Sequence, residues 1–267
     1  MISVRTAEKL LDFGARIGQG QRAHEQLEGA VALHNMLEER GVAYLADEVG
    51  MGKTYVALGT LALFRHFRPD FRVLVIAPRE NIQLKWMKEL KNFVTNNVRF
   101  PDLRVKAIDE RPVRPLVACE NLVTFVREVT LSPDRDFFLR LSSFSLPVSG
   151  RDAVDPEAAR RLSDGLREAL PWLPNEVFYR RDKQAFKDNV ATAICCALPR
   201  FDLVIVDESH NLKHGFSESA SARNRVLALA MGRGTDVDLR VFPGYGPRAA
   251  RVLLLSATPV EETYRHL

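Results

Sequence analysis

Two short stretches concentrate side chains able to do phosphate chemistry. Residues 50–54 read Gly-Met-Gly-Lys-Thr, between the apolar run VAYLA (42–46) and the helical-period segment KTYVALGTLALFRHF (53–67). Backbone at Gly50, Met51 and Gly52 can approach an anion closely, and the Lys53 ammonium can reach the β and γ phosphates of a nucleotide. The Thr54 hydroxyl can ligate Mg²⁺, while the first amides of the following helix point at negative charge. The full phosphate-loop pattern has a further glycine where Asp47 stands, so the match is incomplete at that position. The second stretch is DLVIVDESH (202–210), an apolar strand ending in Asp207 and Glu208. That pair suits nucleotide hydrolysis, with one carboxylate at the strand tip for Mg²⁺ and its neighbour to orient or activate water.

Both stretches need a scaffold that brings them to one edge. Apolar runs of strand length occur at 42–46, 72–78, 120–125, 202–207 and 251–257, rich in Val, Ile and Leu without clean alternation. Such runs are expected to be buried on both faces of a parallel sheet. Helix-period segments lie between them, at 24–39, 53–67 and 81–94. Alternating strand and helix predict an α/β, doubly wound domain in which both acidic and phosphate-binding groups emerge at the carboxyl edge of the sheet. Two stretches interrupt the rhythm. Residues 130–200 hold a Pro- and Ser-containing start and two expected helices near 156–170 and 181–198, and are read as an insertion decorating one end of the sheet. Residues 231–250, rich in Gly and Arg, are read as a long, mobile surface loop.

Composition sets the outer limits. With 267 residues, 46% of them hydrophobic and 27% charged, the chain can bury a substantial core and is not of the disordered class. A formal charge of +4 is compatible with nucleic acid without requiring it. The three cysteines, Cys119, Cys195 and Cys196, have neither disulfide-framework nor metal-ligand spacing, which points to a reducing compartment and to packed thiols. No apolar run reaches about 18 residues, and the first twenty residues lack the apolar centre of a secretion signal. An intracellular, cytoplasmic protein is expected.

The motifs arrive in a recognisable order. ADEVGMGKT (46–54), VLVIAPRENIQLKWMKEL (73–90), VIVDESHNLKH (204–214) and LLLSATP (253–259) resemble motifs I, Ia, II and III of the superfamily 2 helicases. The Asp-Glu before the glycines, the spacing from Gln83 to Trp86, and QLEGAVAL (26–33) are similar to the Swi/Snf-like branch, and LVTF (122–125) resembles its motif Ib strand. The resemblance runs from about residue 20 onward. It implies a RecA-like P-loop NTPase fold for 1–267, with Gln26 contacting adenine and Gly50, Met51, Gly52, Lys53 and Thr54 holding ATP. It also implies Thr54 and Asp207 at Mg²⁺, Glu208 at water and His210 as a sensor of the γ-phosphate. Pro78, Thr124, Ser256 and Thr258 would touch nucleic acid or couple it to the nucleotide. Trp86, by its helical spacing, is expected in the core. Ser209 stands where this branch has Ala, a small-for-small change, and Arg79 and Glu80 follow Pro78 where smaller residues are usual.

What the resemblance implies for activity is an ATP-dependent motor lobe acting on duplex DNA through its phosphates, without reading base sequence. A second RecA-like lobe, in the same protein or in trans, would supply the arginine that completes the ATP site, and without it turnover would be slow. The same motifs permit a strand-separating DNA or RNA helicase. A non-hydrolysing nucleotide-binding scaffold acting through residues 130–200 is the reading from another class. The retention of Lys53, Asp207 and Glu208 weighs against it.

Overall fold

The computed structural model describes residues 1–46, 52–102, 116–146, 156–179, 182–212, 221–234 and 236–257. In chain order the elements are α1 (Val4–Leu10), α2 (Gly14–Ile17), α3 (Gln21–Arg40), β1 (Val42–Ala46), α4 (Lys53–Phe67), β2 (Val73–Ala77) and α5 (Glu80–Asn97). There follow β3 (Val117–Cys119), α6 (Leu122–Leu131), β4 (Phe137–Arg140), α7 (Pro156–Ala169), α8 (Lys183–Ala197), β5 (Leu203–Val206), α9 (Ala222–Ala230) and β6 (Val252–Ser256). Short 3₁₀ turns occupy Leu141–Ser145, Asn175–Phe178 and Ser209–Leu212. The six strands form one sheet in the order β1-β6-β5-β2-β4-β3, and every pairing is parallel. The expected α/β, mostly parallel sheet flanked by helices is the architecture found.

Two apolar layers sandwich this sheet, because successive strand residues point to opposite faces. Leu74, Ile76, Phe137, Leu139, Val204, Val206 and Leu254 face one buried cluster. Val73, Val75, Ala77, Phe138, Leu203, Ile205, Leu253 and Leu255 face the other. Helices α1, α3, α4 and α5 supply the second layer, and α6 to α9 the first. Helix α4 is apolar on all sides, with every residue from Val56 to Arg65 buried, since it lies between α3 and α5 over the sheet. A Cβ at Gly59 would stand 3.1 Å from Ala30 Cβ and 2.6 Å from the Phe13 ring, so the α3–α4 crossing needs a residue without a side chain. One buried cation ties α4 to the start of the strands. Arg65 of α4 bonds Asp136, just before β4, and reaches Asp102 at 3.4 Å, while Asp136 also accepts the Val73 N–H at 3.1 Å.

Four expected strands coincide with β1, β2, β5 and β6, and three expected helical segments with α3, α4 and α5. The run 120–125 does not: the strand is Val117–Cys119, and Leu122 opens α6. Asn121 explains the difference, since its side chain accepts the Thr124 N–H at 2.9 Å and so caps a helix there. Strand β1 is at the sheet edge and half exposed, where burial on both faces was expected. Within 130–200 both expected helices are present as α7 and α8, but the stretch also contains β4, which pairs with β2 and β3 inside the sheet. Its helices contribute Leu162, Leu166, Phe186, Val190 and Ile194 to the cluster on the sheet face, which makes them part of the core and not decoration. The stretch 236–250 is tied down too. Phe242 is buried, Phe201 donates its N–H to Arg248 O at 2.8 Å, and Ala250 donates to Phe201 O at 2.9 Å, so it is a packed loop where mobility was expected.

Candidate functional site

Three neighbouring strands deliver the candidate residues to one edge. β1, β6 and β5 are adjacent and parallel, with Ala46 opposite Ser256 and Val206 opposite Leu254. The phosphate-loop segment follows β1, Ser256 ends β6, and Asp207 follows β5. Two strand spacings of about 4.8 Å put the chain leaving β1 and the chain leaving β5 roughly 10 Å apart, with Ser256 between them. Side chains of the two segments can therefore converge over the end of β6.

Gly52 is the N-cap of α4 and adopts φ +94°, ψ 23°, in the left-handed region that glycine takes without strain. A Cβ there would lie 2.1 Å from Nε2 of Gln26, so the buried Gln26 side chain of α3 lies directly against the phosphate-loop turn. As the N-cap residue, Gly52 has no side chain with which to cap the first amides of α4. Lys53 and Thr54 are the first two residues of this helix, both half-buried. Gly50 and Met51, like Asp47, lie outside the described residues. These features fit a phosphate group: bare backbone at a positive φ, a glycine at the helix N-cap and a lysine at the first position.

Asp207 is held by three backbone and side-chain bonds. Its N–H donates to Ile76 O at 2.9 Å, which registers it against β2. Oδ1 accepts the Glu208 N–H at 2.9 Å, and Oδ2 accepts the indole N–H of Trp86 at 2.8 Å. Glu208 itself has φ +51°, a left-handed conformation that non-glycine residues seldom adopt and that costs on the order of 1–3 kcal/mol. Asn211 holds the turn closed, donating from its backbone N–H at 3.0 Å and from Nδ2 at 2.8 Å to the Glu208 carbonyl. The turn exposes the Glu208 carboxylate, whose Oε2 lies 3.1 Å from His210 Nδ1. The same imidazole nitrogen is 3.4 Å from Ser256 Oγ, so Glu208, His210 and the end of β6 form a chain of polar contacts. Ser209 is buried beneath it, consistent with the requirement for a small residue there. Among the described residues no group of three His, Cys, Asp or Glu could enclose a metal ion alone. Magnesium is commonly held by one or two carboxylates plus phosphate oxygens and water, for which Asp207 is suited.

The expected nucleic-acid and coupling residues are more dispersed. Pro78 follows β2 at the same edge, and Ser256 contacts His210 as described. Thr124 sits in the first turn of α6, where its N–H and hydroxyl are both tied to Asn121 Oδ1, at 2.9 and 3.2 Å. Thr258 lies outside the described residues. Trp86 is buried as expected. Its bond to Asp207 was not foreseen, although a buried indole must find an acceptor for its N–H and so signals a polar partner. Gln83 was likewise read only as part of a motif. It is buried, donates to Cys119 O at 3.0 Å and to Phe138 O at 2.5 Å, and accepts from Arg140 Nε at 3.0 Å, which locks α5 onto the ends of β3 and β4.

Known proteins share parts of this chain. The family model described as type III restriction enzyme, res subunit, matches residues 20–135. Chromatin-remodeling ATPase INO80 from two strains of Cryptococcus neoformans var. neoformans serotype D is 31% identical over 131 residues, covering 46% of this chain. The match covers only 6% of the length of those relatives. Among solved structures, the Sulfolobus solfataricus SWI2/SNF2 ATPase core in complex with dsDNA is 13% identical with a TM-score of 0.47, over 91% of this chain and 33% of that one. A nuclease-deletion mutant of the type ISP restriction-modification enzyme LlaGI, in complex with a DNA substrate mimic, is 12% identical with a TM-score of 0.44, over 91% and 18%.

Proposed function

We propose that this chain is the first, ATP-binding motor lobe of an ATP-dependent DNA translocase of the Swi/Snf-like branch of the superfamily 2 helicases, a reading supported by its similarity to helicase-type and Snf2-type ATPases. The observation that carries this reading is that the adjacent parallel strands β1, β6 and β5 bring to one edge of the sheet the start of α4, with Gln26 against Gly52, and the Asp207–Glu208–His210 turn.

In this reading Gln26 faces the adenine, and Gly50, Met51, Gly52, Lys53 and Thr54 hold the phosphates. Thr54 and Asp207 hold magnesium. Bound magnesium supplies neutralisation of the charge that develops on the phosphate oxygens. The Glu208 carboxylate orients the attacking water and receives its proton. His210, in contact with both Glu208 and Ser256, relays the state of the γ-phosphate to the end of β6. Pro78, Thr124, Ser256 and Thr258 face duplex DNA or transmit to it, with contacts to phosphates that carry no sequence information. A second RecA-like lobe closes over the site and completes it with an arginine, and residues 130–200 add a partner-binding or strand-guiding surface. The compartment is the cytoplasm. In support, no helix among the described residues is long and apolar enough to cross a membrane.

ATP turnover by the protein, measured in parallel without nucleic acid and with duplex DNA, single-stranded DNA and RNA, tests the proposal. Strong stimulation by duplex DNA, abolished by Lys53→Ala and by Glu208→Gln, is the expected result. Stimulation confined to single strands or RNA would favour a strand-separating helicase. Tight ATP binding with no turnover in any of the four conditions would overturn the motor reading in favour of a nucleotide-holding scaffold.

A further inference from the structure

Trp86 is 1% exposed and sits in α5, packed within the apolar layer that covers one face of the sheet. Burial alone would explain a large aromatic side chain at that position. It does not explain the acceptor. The indole Nε1 donates at 2.8 Å to Oδ2 of Asp207, a residue 121 positions away, just past the end of β5. The other carboxylate oxygen takes the Glu208 N–H at 2.9 Å, and the Asp207 N–H is held by Ile76 O at 2.9 Å. With one fixed donor on each oxygen and the backbone pinned, the plane of the carboxylate is set before any ligand arrives. Each oxygen that accepts one N–H keeps a lone pair for a cation or a cation-bound water.

We propose that Trp86 is a positioning residue for Asp207, its indole N–H holding the carboxylate in the orientation that meets a nucleotide-bound divalent cation. This rests on the reading of Asp207 as the magnesium-facing carboxylate given above. The physical basis is the one that operates around metal sites generally. A ligand left free to rotate must be ordered at the moment of binding, whereas a ligand oriented by a buried donor is not. Trp86 is suited to this because its ring is immobilised by packing, so the N–H cannot follow the carboxylate if it turns.

The test separates donor from bulk. The sequence contains two tryptophans, so Trp172→Phe leaves Trp86 as the one remaining indole. In that background, position 86 is filled biosynthetically with the tryptophan isostere whose ring N–H is replaced by sulfur, which keeps the shape and removes the donor. Binding of the non-hydrolysable β,γ-imido analogue of ATP is then followed by calorimetry over a magnesium series and in EDTA. The expected result is a rise of about tenfold in the magnesium concentration needed to tighten binding, with affinity in EDTA unchanged. A second measurement leaves Trp86 itself unaltered. Asp207→Asn in the Trp172→Phe chain should shift Trp86 fluorescence emission, because a charged acceptor becomes a neutral one. Equal magnesium dependence in the two proteins, or an emission spectrum indifferent to Asp207→Asn, overturns the role of Trp86 and leaves the nucleotide site standing. Failure of the unsubstituted chain to bind the analogue at any magnesium concentration overturns the nucleotide site itself, and the role of Trp86 with it.

Discussion

Gly52 lets Gln26 of α3 lie against the start of α4, and its substitution isolates that role. With φ at +94° and Gln26 Nε2 at 2.1 Å from where a Cβ would stand, Gly52→Ala is strained both by its backbone and by its neighbour. The backbone part alone is worth about 1–2 kcal/mol. Gly52→Ala is expected to lower the unfolding free energy measured in urea by that amount and to weaken nucleotide binding by more than the stability loss explains, read by calorimetry on the folded variant. A second residue sets a pH dependence. His34 is buried against Phe64, with ring centroids 4.3 Å apart, and burial holds its pKa below the usual 6.5 despite the opposing bond to Asn35. Above pH 6.5 both folded and unfolded chains carry it neutral, so it contributes nothing. As pH falls below 6.5 the unfolded chain takes up a proton that the folded chain resists, and stability declines. Thermal unfolding measured from about pH 7.5 down to about pH 5.5 should show a shallower decline in His34→Gln than in the parent. At this scale the sequence placed Lys53 at the start of a helix and Asp207 and Glu208 just past a strand, as the structure has them. It was silent on Gln26 touching Gly52 and Trp86 bonding Asp207, because those pairings depend on which strands become neighbours.

Among the elements, α6 and β4 mark the limit of local pattern. The run LVTF is short, apolar and β-branched, so its periodicity is ambiguous between strand and helix. What decides it is one residue before the run, Asn121, which accepts the Thr124 N–H at 2.9 Å. Asn121→Ala should cost about 1 kcal/mol in chemical denaturation. Strand β4 is four residues of FFLR in a Ser- and Pro-containing context, and nothing in its neighbourhood announces a sheet member. Its place is secured from a distance by Arg65, which bonds Asp136 at the strand entrance and Asp102 nearby with side chains 1–2% exposed. Burial by itself would lower the guanidinium pKa, but the two carboxylates outweigh it and raise it. Arg65→Ala removes the shared cation from two buried carboxylates, and a loss of about 3–5 kcal/mol is expected. Arg65→Ala with Asp136→Asn should recover part of that loss, since one of the two buried charges then goes.

At the scale of the molecule, chain order becomes division of labour between the two faces of the sheet. Residues through α5 build the layer that carries α4 and Trp86, and the elements after β3 build the layer beneath the opposite face. The alternation of strand and helix made the parallel sheet legible in the sequence, but not the strand order, which alone puts Ser256 between the phosphate loop and Asp207. The same layering changes what removal of the 130–200 segment should do. An appendage at the end of a sheet could be cut away, leaving a stable minimal lobe. Here Phe186, Val190, Ala191, Ala193 and Ile194 of α8 are each 0% exposed and share a cluster with Leu74, Ile76, Val204 and Val206 of the central strands. Uncovering a large apolar side chain such as Phe186, Val190 or Ile194, or Leu162 or Leu166 of α7, costs about 1.5–3 kcal/mol, and these together match the roughly 5–15 kcal/mol by which a domain is usually stable. Replacing residues 147–198 with a flexible Gly-Ser linker should therefore abolish the cooperative thermal transition seen by circular dichroism and expose apolar surface to a dye such as ANS. Retention of a sharp transition and of nucleotide binding would mean that the sheet closes its lower face without α7 and α8, and that this segment is an accessory after all.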